Sequence, residues 1–145
     1  MKQYFRARTY NAWVYGSYEY LEGDPANKEP DVHWIRNRRT GSATLVDGDT
    51  VTMSIGIPDI HGKDIFIGDI VKHYNDSKNP DRYVIGLIVW DQTRCCVNKK
   101  DQDGKLWAVC ADCSYEIIGN IFDNPELFTL EHPPLSDKID QPKGV

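Results

Sequence analysis

Four cysteines are the residues whose spacing comes closest to a chemical site. Cys95 and Cys96 are adjacent, and Cys110 and Cys113 bound a C-x-x-C motif, CADC. The second pair has the spacing of a zinc knuckle, and the first pair could complete a four-sulfur tetrahedral site. However, adjacent residues of an extended strand point to opposite faces, so Cys95 and Cys96 cannot both reach one metal without distortion. We therefore predict no bound metal, and interpret the cysteines as small hydrophobic residues or surface thiols.

Three arginines, Arg36, Arg38 and Arg39, lie within four residues. Guanidinium groups can grip phosphates or carboxylates with paired hydrogen bonds, so this cluster could contact nucleic acid or another anion. Charge runs are more often solvated surface, and the formal net charge of −5 argues against a protein whose whole surface binds nucleic acid. We therefore favour the surface interpretation over anion binding.

No other motif completes a catalytic or cofactor-binding site. The histidines are scattered through the chain: His33, His61, His73 and His132. Asp59, Asp64 and Asp69 could act as paired carboxylates, but they recur across two predicted bends, where Asp side chains commonly bond to backbone amides. Glycine-rich phosphate loops and nucleophile elbows are absent. We predict no catalytic residue, no cofactor and no enzymatic activity.

The elements that would carry these residues are β-strands. Apolar and polar residues alternate over 51–55, which predicts a half-buried strand. Residues 13–21 also alternate, with Gly16 at a bulge or a close contact. Residues 84–90 are apolar on both faces, which predicts a central strand with Gly86 at a bulge or at a point of sharp coiling, as in small barrels. The seven aromatic rings between residues 4 and 20 are expected to pack in the core, and the alternative is a stacking platform for bases or sugars.

Turn signals separate the strands. Three glycine-containing pairs predict hairpins or bends: His61-Gly62, Gly68-Asp69 and Asp103-Gly104. We expect both residues of His61-Gly62 to take positive φ. Gly119 predicts a kink in the last strand, and a short C-terminal helix is expected over residues 126–128.

The length of 145 residues fits one domain, which we place over residues 1–130, followed by a loosely ordered tail over residues 131–145. No apolar run approaches the roughly 20 residues that a membrane-spanning helix needs. The N-terminal residues lack the apolar block of a secretory signal. We therefore expect a cytoplasmic protein with reduced cysteines.

Three blocks occur in order along the chain: FRAR followed by WVYGSYEY, then VDGDTVTMSIGIPDIHGKDIFIGDIV, and then YVIGLIVWD followed by YEIIGNIFDNPEL. Taken together, they resemble the YopX family of small proteins encoded by bacteriophages and prophages. The positions that we assign to the family signature, as structural residues, are Gly56, Asp59, Gly62, Gly68, Asp69, Trp90, Gly119 and Asn120. Ile55 stands where the family usually has threonine, and His61 where it usually has asparagine. The cysteines lie outside the family pattern.

The resemblance implies a mainly β fold in which a bifurcated antiparallel sheet curls into a small pseudo-barrel, in a protein that works in the bacterial host of a phage or prophage. It implies no particular biochemical activity. We expect a non-catalytic accessory protein that binds another protein or itself, as a homo-oligomer. The alternative is a small β-barrel that binds nucleic acid through Arg36, Arg38, Arg39 and aromatic side chains. No membrane partner is expected.

Overall fold

The computed structural model describes residues 4–10, 12–75 and 78–130. These residues form antiparallel β-strands, and they contain no helix of seven residues or more. The strands are β1 (Phe5–Thr9), β2 (Ala12–Leu21), β3 (Val32–Arg36), β4 (Ala43–Leu45), β5 (Thr52–Pro58), β6 (Asp64–Phe66), β7 (Asp69–Tyr74), β8 (Tyr83–Asp91), β9 (Cys96–Asp101), β10 (Leu106–Ala108) and β11 (Ser114–Asn120). Three 3-10 turns accompany them, at Pro25–Asn27, Gly48–Thr50 and Pro125–Leu127. The predicted mainly β fold is confirmed.

The chain divides into two compact units, residues 1–56 and 57–145. In the first unit, antiparallel strands follow the order β4-β3-β2-β1-β5. β5 ends two residues beyond Gly56, and β6 continues the same sheet. Ala7 and Ile35 are the buried apolar residues of the first unit. In the described part of the chain, no helix has the length and hydropathy that crossing a membrane requires.

Gly16 on β2 lies against the backbone of the neighbouring strand. Its φ is +156°, and an added Cβ would meet the carbonyl oxygen of Arg36 at 2.0 Å. Only glycine fits such an approach, because that oxygen cannot move without breaking the sheet. The predicted close contact at Gly16 is confirmed.

The second unit contains a five-stranded sheet with the order β10-β9-β8-β7-β11. β8 is its middle strand, as the apolar run over residues 84–90 predicted. Val71, Ile88 and Tyr115 are almost fully buried on three different strands of this sheet. Both ends of β8 are more exposed than predicted, and Trp90 keeps 46% of its surface accessible.

Gly86 does not form the predicted bulge. It pairs with Val71 on one side and with Asp101 on the other, without a break in register. An added Cβ would lie 2.5 Å from Cγ and 2.6 Å from Cδ of Lys99. The glycine therefore leaves room for a side chain that crosses it. The register shift of this sheet lies at Gly119 instead, where a kink was predicted.

The hairpin after β5 is a three-residue loop. The Asp59 N–H donates to the Lys63 oxygen at 2.7 Å, and the Gly62 N–H donates to the Asp59 oxygen at 3.0 Å. Gly62 has a φ of +80°, whereas His61 has no positive φ. One left-handed residue after a tight turn is enough to close such a loop. The prediction of positive φ at both residues was wrong for His61.

Two further predictions need correction. Each sheet keeps two open edges, β4 and β6 in the first and β10 and β11 in the second, so neither closes into a barrel within the described residues. The expected C-terminal helix is only the 3-10 turn Pro125–Leu127: Asn124 gives no side-chain cap, and Phe128 returns to extended backbone. The predicted tail, residues 131–145, lies outside the described residues, and so does His132.

Candidate functional site

Lys99 is a buried lysine in the middle of the second unit's sheet. It lies on β9 opposite Ile88 of β8, and only 4% of its surface is accessible. Its stem crosses β8 over Gly86 and brings Nζ to 2.6 Å from Nδ1 of His73 on β7. Because a buried charge without a partner is costly, this contact explains how the amine can occupy the interior.

Burial lowers the pKa of both groups. Desolvation lowers the pKa of Lys99, with Asp101 and Cys113 acting in the opposite direction. Desolvation also lowers the pKa of His73, and the Lys99 charge lowers it further. Two adjacent cations repel each other, so near neutral pH His73 is the neutral partner and accepts the lysine's hydrogen bond through Nδ1.

Tyr115 of β11 connects this pair to the C-x-x-C loop. Its ring centroid lies 4.8 Å from that of His73, and 1% of its surface is exposed. Its hydroxyl oxygen accepts the Cys110 N–H at 3.1 Å. Burial is the largest cause that raises the pKa of Tyr115 to about 12. The buried tyrosine thus holds the beginning of the loop against the sheet.

Cys110 and Cys113 are the two ends of one tight turn. The Cys113 N–H donates to the Cys110 oxygen at 3.2 Å. Cys110 is exposed and Cys113 is partly covered. A hydrogen bond from the Cys113 thiol lowers the pKa of Cys110, whereas burial raises the pKa of Cys113. The two thiols therefore interact, and they differ in access and acidity.

The other cysteine pair lies at the turn between β8 and β9. Cys95 is exposed with a φ of +52°, and its thiol donates to the Gln92 oxygen at 3.5 Å. Cys96 begins β9. Among the residues that the structure describes, no three His, Cys, Asp or Glu side chains are placed to hold a metal ion. The structure therefore does not bring the two cysteine pairs together as a four-sulfur site.

Glu116 joins the hairpin after β5 to the second unit's sheet. Its Oε2 lies 3.0 Å from His61 Nε2, and its Oε1 accepts the Tyr74 hydroxyl at 2.8 Å. The bond to His61, followed by that to Tyr74, lowers the pKa of Glu116. The Ile60 N–H also donates to the backbone carbonyl oxygen of Tyr115 at 2.8 Å. The predicted turn residue His61 is thus part of a polar contact with β11.

The signature residues Asp59 and Asp69 both bind backbone amides. Oδ1 of Asp59 accepts from the amides of His61 and Lys63, each at 2.9 Å, and Oδ2 accepts from Ile117 at 3.2 Å. Asp69 is 1% exposed, and its Oδ2 accepts the Phe66 N–H at 2.8 Å. These carboxylates act as turn acceptors in the structure, which is the role the sequence favoured over paired acid-base chemistry.

The remaining signature positions lie at backbone bends and at one exposed ring. Gly56 and Gly68 have φ values of +78° and +97°. An added Cβ at Gly119 would lie 2.7 Å from Asn124 Oδ1. Asn120 Oδ1 accepts the amides of residues 122 and 123 at 3.0 and 2.9 Å. Apart from the exposed Trp90, these positions therefore determine the local backbone conformation.

The arginine cluster is partly occupied by contacts within the first unit. Arg36 binds both carboxylate oxygens of Glu19, at 3.1 and 3.0 Å, and donates to the Gly41 oxygen at 2.8 Å. Arg38 Nε donates to Ser17 Oγ at 3.3 Å. Arg39 is exposed. The structure places the three residues on one hairpin, but the Arg36 guanidinium is already engaged by a carboxylate.

β10 forms an exposed apolar edge, which we call the β10 edge (Leu106, Trp107 and Ala108). Leu106 is 38% and Trp107 49% exposed, and Ala108 is exposed as well. Trp107 Nε1 donates to Asp101 Oδ2 at 2.7 Å, which fixes the ring. Within the described part of the chain, β10 pairs with β9 and has no strand on its other side. A sheet edge with exposed large apolar residues is a common site of strand pairing between chains.

The first unit has a groove of about 450 Å³ beside its own edge strand, β4. It is lined by Arg8, Thr9, Tyr10 and residues 43–47. Leu45 in this groove is 66% exposed. The groove thus places an exposed apolar side chain at a second sheet edge.

Sequence reasoning missed the buried group formed by Lys99, His73 and Tyr115. One signal was available: Lys99 lies two residues after the apolar Val97 on β9, so the two side chains share one face of the strand. Lysine is rarely buried, so this spacing alone did not indicate an interior position. Only the pairing of β9 with β8, of β8 with β7 and of β7 with β11 brings the three side chains together.

These features define a small, two-sheet antiparallel β protein. Its buried lysine–histidine–tyrosine group and its cysteines lie in the second unit. The YopX protein family matches residues 4–129. The chain therefore belongs to the YopX family. The crystal structure of protein EF1440 from Enterococcus faecalis is similar, with 23% sequence identity, a TM-score of 0.45 and coverage of 88% of this chain and 98% of that chain. No curated protein matches the chain.

Proposed function

We infer that this protein is a phage or prophage accessory protein of the bacterial cytoplasm that works by association, without catalysis, and that it pairs with a second copy of itself through the β10 edge. The observation that carries this is the exposure of three consecutive residues, two of them large and apolar, on a strand that has one unpaired side among residues 4–10, 12–75 and 78–130. Such edges are usually protected by charge, by proline or by a covering segment.

The direction of the backbone groups supports strand pairing at this edge. The Asp101 N–H donates to the Lys105 oxygen at 2.8 Å, which makes these residues a hydrogen-bonded pair of the β9–β10 hairpin. Such pairs alternate with non-hydrogen-bonded ones. The N–H and C=O groups of Leu106 and Ala108 therefore point away from β9 and can accept a new strand.

The sequence of the β10 edge complements itself. In an antiparallel pairing centred on Trp107, Leu106 lies opposite Ala108 of the second copy. The outward N–H and C=O groups of these two residues can then hydrogen-bond to each other. The two Trp107 rings face each other in a close, non-hydrogen-bonded pair, an arrangement that stabilises antiparallel sheets. Lys105 faces Val109, so no like charges oppose each other. These matches favour a second copy over an unrelated strand.

Light scattering of the full chain over a range of concentrations tests this proposal. The wild-type protein is expected to approach the mass of two chains at high concentration. Ala108→Pro removes one outward N–H without affecting a bond to β9, and Leu106→Lys adds an edge charge; both are expected to give the mass of one chain.

The matched control is Leu45→Lys, which changes an exposed leucine at the other sheet edge and is expected to leave the dimer intact. A wild-type protein with the mass of one chain at every concentration would contradict self-association. If that protein still captured another protein through the β10 edge, the occupant would be a different chain.

Nucleic-acid binding through Arg36, Arg38 and Arg39 stays the alternative prediction. The Glu19 carboxylate is its competitor, because a phosphate would have to displace the paired hydrogen bonds that Glu19 makes with Arg36. Arg38 and Arg39 are exposed on the same hairpin. We therefore place this function second.

A further inference from the structure

We propose that Cys110 and Cys113 form a reversible dithiol–disulfide site that reacts with small disulfides of the glutathione class. The site consists of the CADC turn, which Tyr115 holds against the sheet that contains Lys99 and His73. Neither the family signature nor the proposed association at the β10 edge involves these thiols.

The turn brings the two cysteines to a distance that a disulfide can span. The Cys113 N–H bonds to the Cys110 oxygen at 3.2 Å, which is the bond of a β-turn whose ends are residues 110 and 113. The Cα atoms at the ends of a β-turn lie within about 7 Å. Disulfides join Cα atoms about 4.4 to 6.8 Å apart. Closing the bond therefore requires rotation of side chains and little movement of the backbone.

The anchor at Tyr115 keeps this geometry in place. The buried tyrosine accepts the Cys110 N–H at 3.1 Å, so the first cysteine is fixed relative to β11. Cys113 is one residue before β11, which fixes the second cysteine to the same strand. A pair held in this way has a high effective concentration of one thiol at the other.

The two thiols are suited to different steps. Cys110 is exposed, and the interaction with the Cys113 thiol lowers its pKa, so it is the thiol that meets a dissolved disulfide. Cys113 is more covered, and burial, followed by the hydrogen bond to Cys110, raises its pKa, so it stays a thiol while Cys110 reacts first. Cys110 therefore acts as the attacking thiol and Cys113 as the resolving thiol.

The exchange takes place in two balanced steps. The Cys110 thiolate attacks one sulfur of the disulfide RSSR, forms a mixed disulfide and releases RS⁻. Cys113 then loses its proton and attacks the Cys110 sulfur, which forms the Cys110–Cys113 bond and releases the second RS⁻. The two thiolates leave as RSH after taking up the protons of the two cysteines. The protein dithiol is oxidised by two electrons, and RSSR is reduced by two.

The other two cysteines serve as an internal control. Cys95 and Cys96 are adjacent in sequence, and the Cys96 thiol lies 4.0 Å from Asn98 Oδ1. A disulfide between adjacent residues closes a small, strained ring. The same oxidant is therefore expected to leave them as thiols.

The experiment equilibrates the full-length protein with glutathione and glutathione disulfide at several ratios, blocks free thiols, and maps the peptides by mass spectrometry. We expect one intramolecular bond, Cys110–Cys113, with Cys95 and Cys96 recovered in the blocked form. Cys113→Ser is expected to stop at a glutathione adduct on Cys110, and Cys110→Ser to lose both the bond and most of the adduct. The double variant with Cys95→Ser and Cys96→Ser should oxidise like the wild type.

Several results would overturn the proposal. In one, Cys110 and Cys113 stay reduced at ratios that oxidise a reference C-x-x-C peptide. In another, both carry separate glutathione adducts, or all four cysteines react at equal rates. Disulfides only between chains, detected on non-reducing gels, would also reject an intramolecular site. Because the readout is a bond within one chain, it stands or fails independently of self-association.

Discussion

Gly86 and Lys99 are a matched pair of residues on neighbouring strands. The lysine stem occupies the space where a side chain at residue 86 would begin, and it carries the amine to His73. Since β8 keeps its register through Gly86, the glycine is needed for this crossing and not for a bend. The burial of the Lys99 amine therefore depends on the absence of a side chain at Gly86, on the strand between Lys99 and His73.

Gly86→Ala tests this dependence. The new Cβ would contact the middle of the lysine stem, so the side chain must shift and the contact with His73 must weaken. We expect a loss of about 1 to 3 kcal/mol in the free energy of unfolding, as for overpacked interiors. Chemical denaturation of the variant and the wild type measures it.

The second half of this test is a double-mutant cycle with Lys99→Ala. In that background the stem is absent, and Gly86→Ala should cost little. Equal costs in both backgrounds would show that the glycine serves another purpose, such as the backbone conformation of β8.

The structural role of single glycines at bends was predictable from the sequence. The buried group of Lys99, His73 and Tyr115 was not. Gly16 and Gly119 interrupt strand patterns, so an unusual backbone contact could be expected at each. Gly86 gave the same signal, but its cause lies on β9, and no local pattern distinguishes a bulge from a side chain that crosses the strand. His73 and Tyr115 likewise acquire their roles only through strand pairing.

The hairpin between β5 and β6 is the element that connects the family signature to the second unit's sheet. One carboxylate, Asp59, accepts from two amides within the hairpin and from Ile117 on β11. The Asp59 carboxylate is 6% exposed, so these three hydrogen bonds are the partners that compensate for its burial. The signature therefore encodes a docked hairpin as well as a turn.

Asp59→Ala should destabilise the protein by about 1 to 3 kcal/mol, because three backbone amides lose the hydrogen bonds they make to this carboxylate. Thermal and denaturant unfolding measure the loss. Asp64→Ala, at an exposed position of the same segment, is the matched control and should cost less. If the two variants were equally stable, the carboxylate of Asp59 would not hold the hairpin.

The sequence predicted many of the strands and turns. Alternation of apolar and polar residues indicated the strands, and glycine pairs indicated the turns. It did not predict which edge stays open, because edges depend on the order of strands. The prediction of a C-terminal helix was wrong. Pro125 favours the start of a helix, but it cannot extend one beyond three residues without further capping and packing.

For the whole molecule, the exposed sheet edges determine how it can associate. Among the described residues, the β10 edge has no second neighbouring strand and exposes Leu106 and Trp107, and two copies of its sequence would pair without opposing like charges. The family and the composition indicated a small β protein but not the site of contact. We therefore propose that two copies join through this strand.

Amide hydrogen exchange of β10 tests that claim most directly. The N–H groups of Leu106 and Ala108 point outward, whereas that of Trp107 points toward β9 and is protected in a single chain. We predict that exchange at Leu106 and Ala108 slows as protein concentration rises, while Trp107 stays protected throughout. Exchange at Leu106 and Ala108 that is equally fast at all concentrations would contradict the claim.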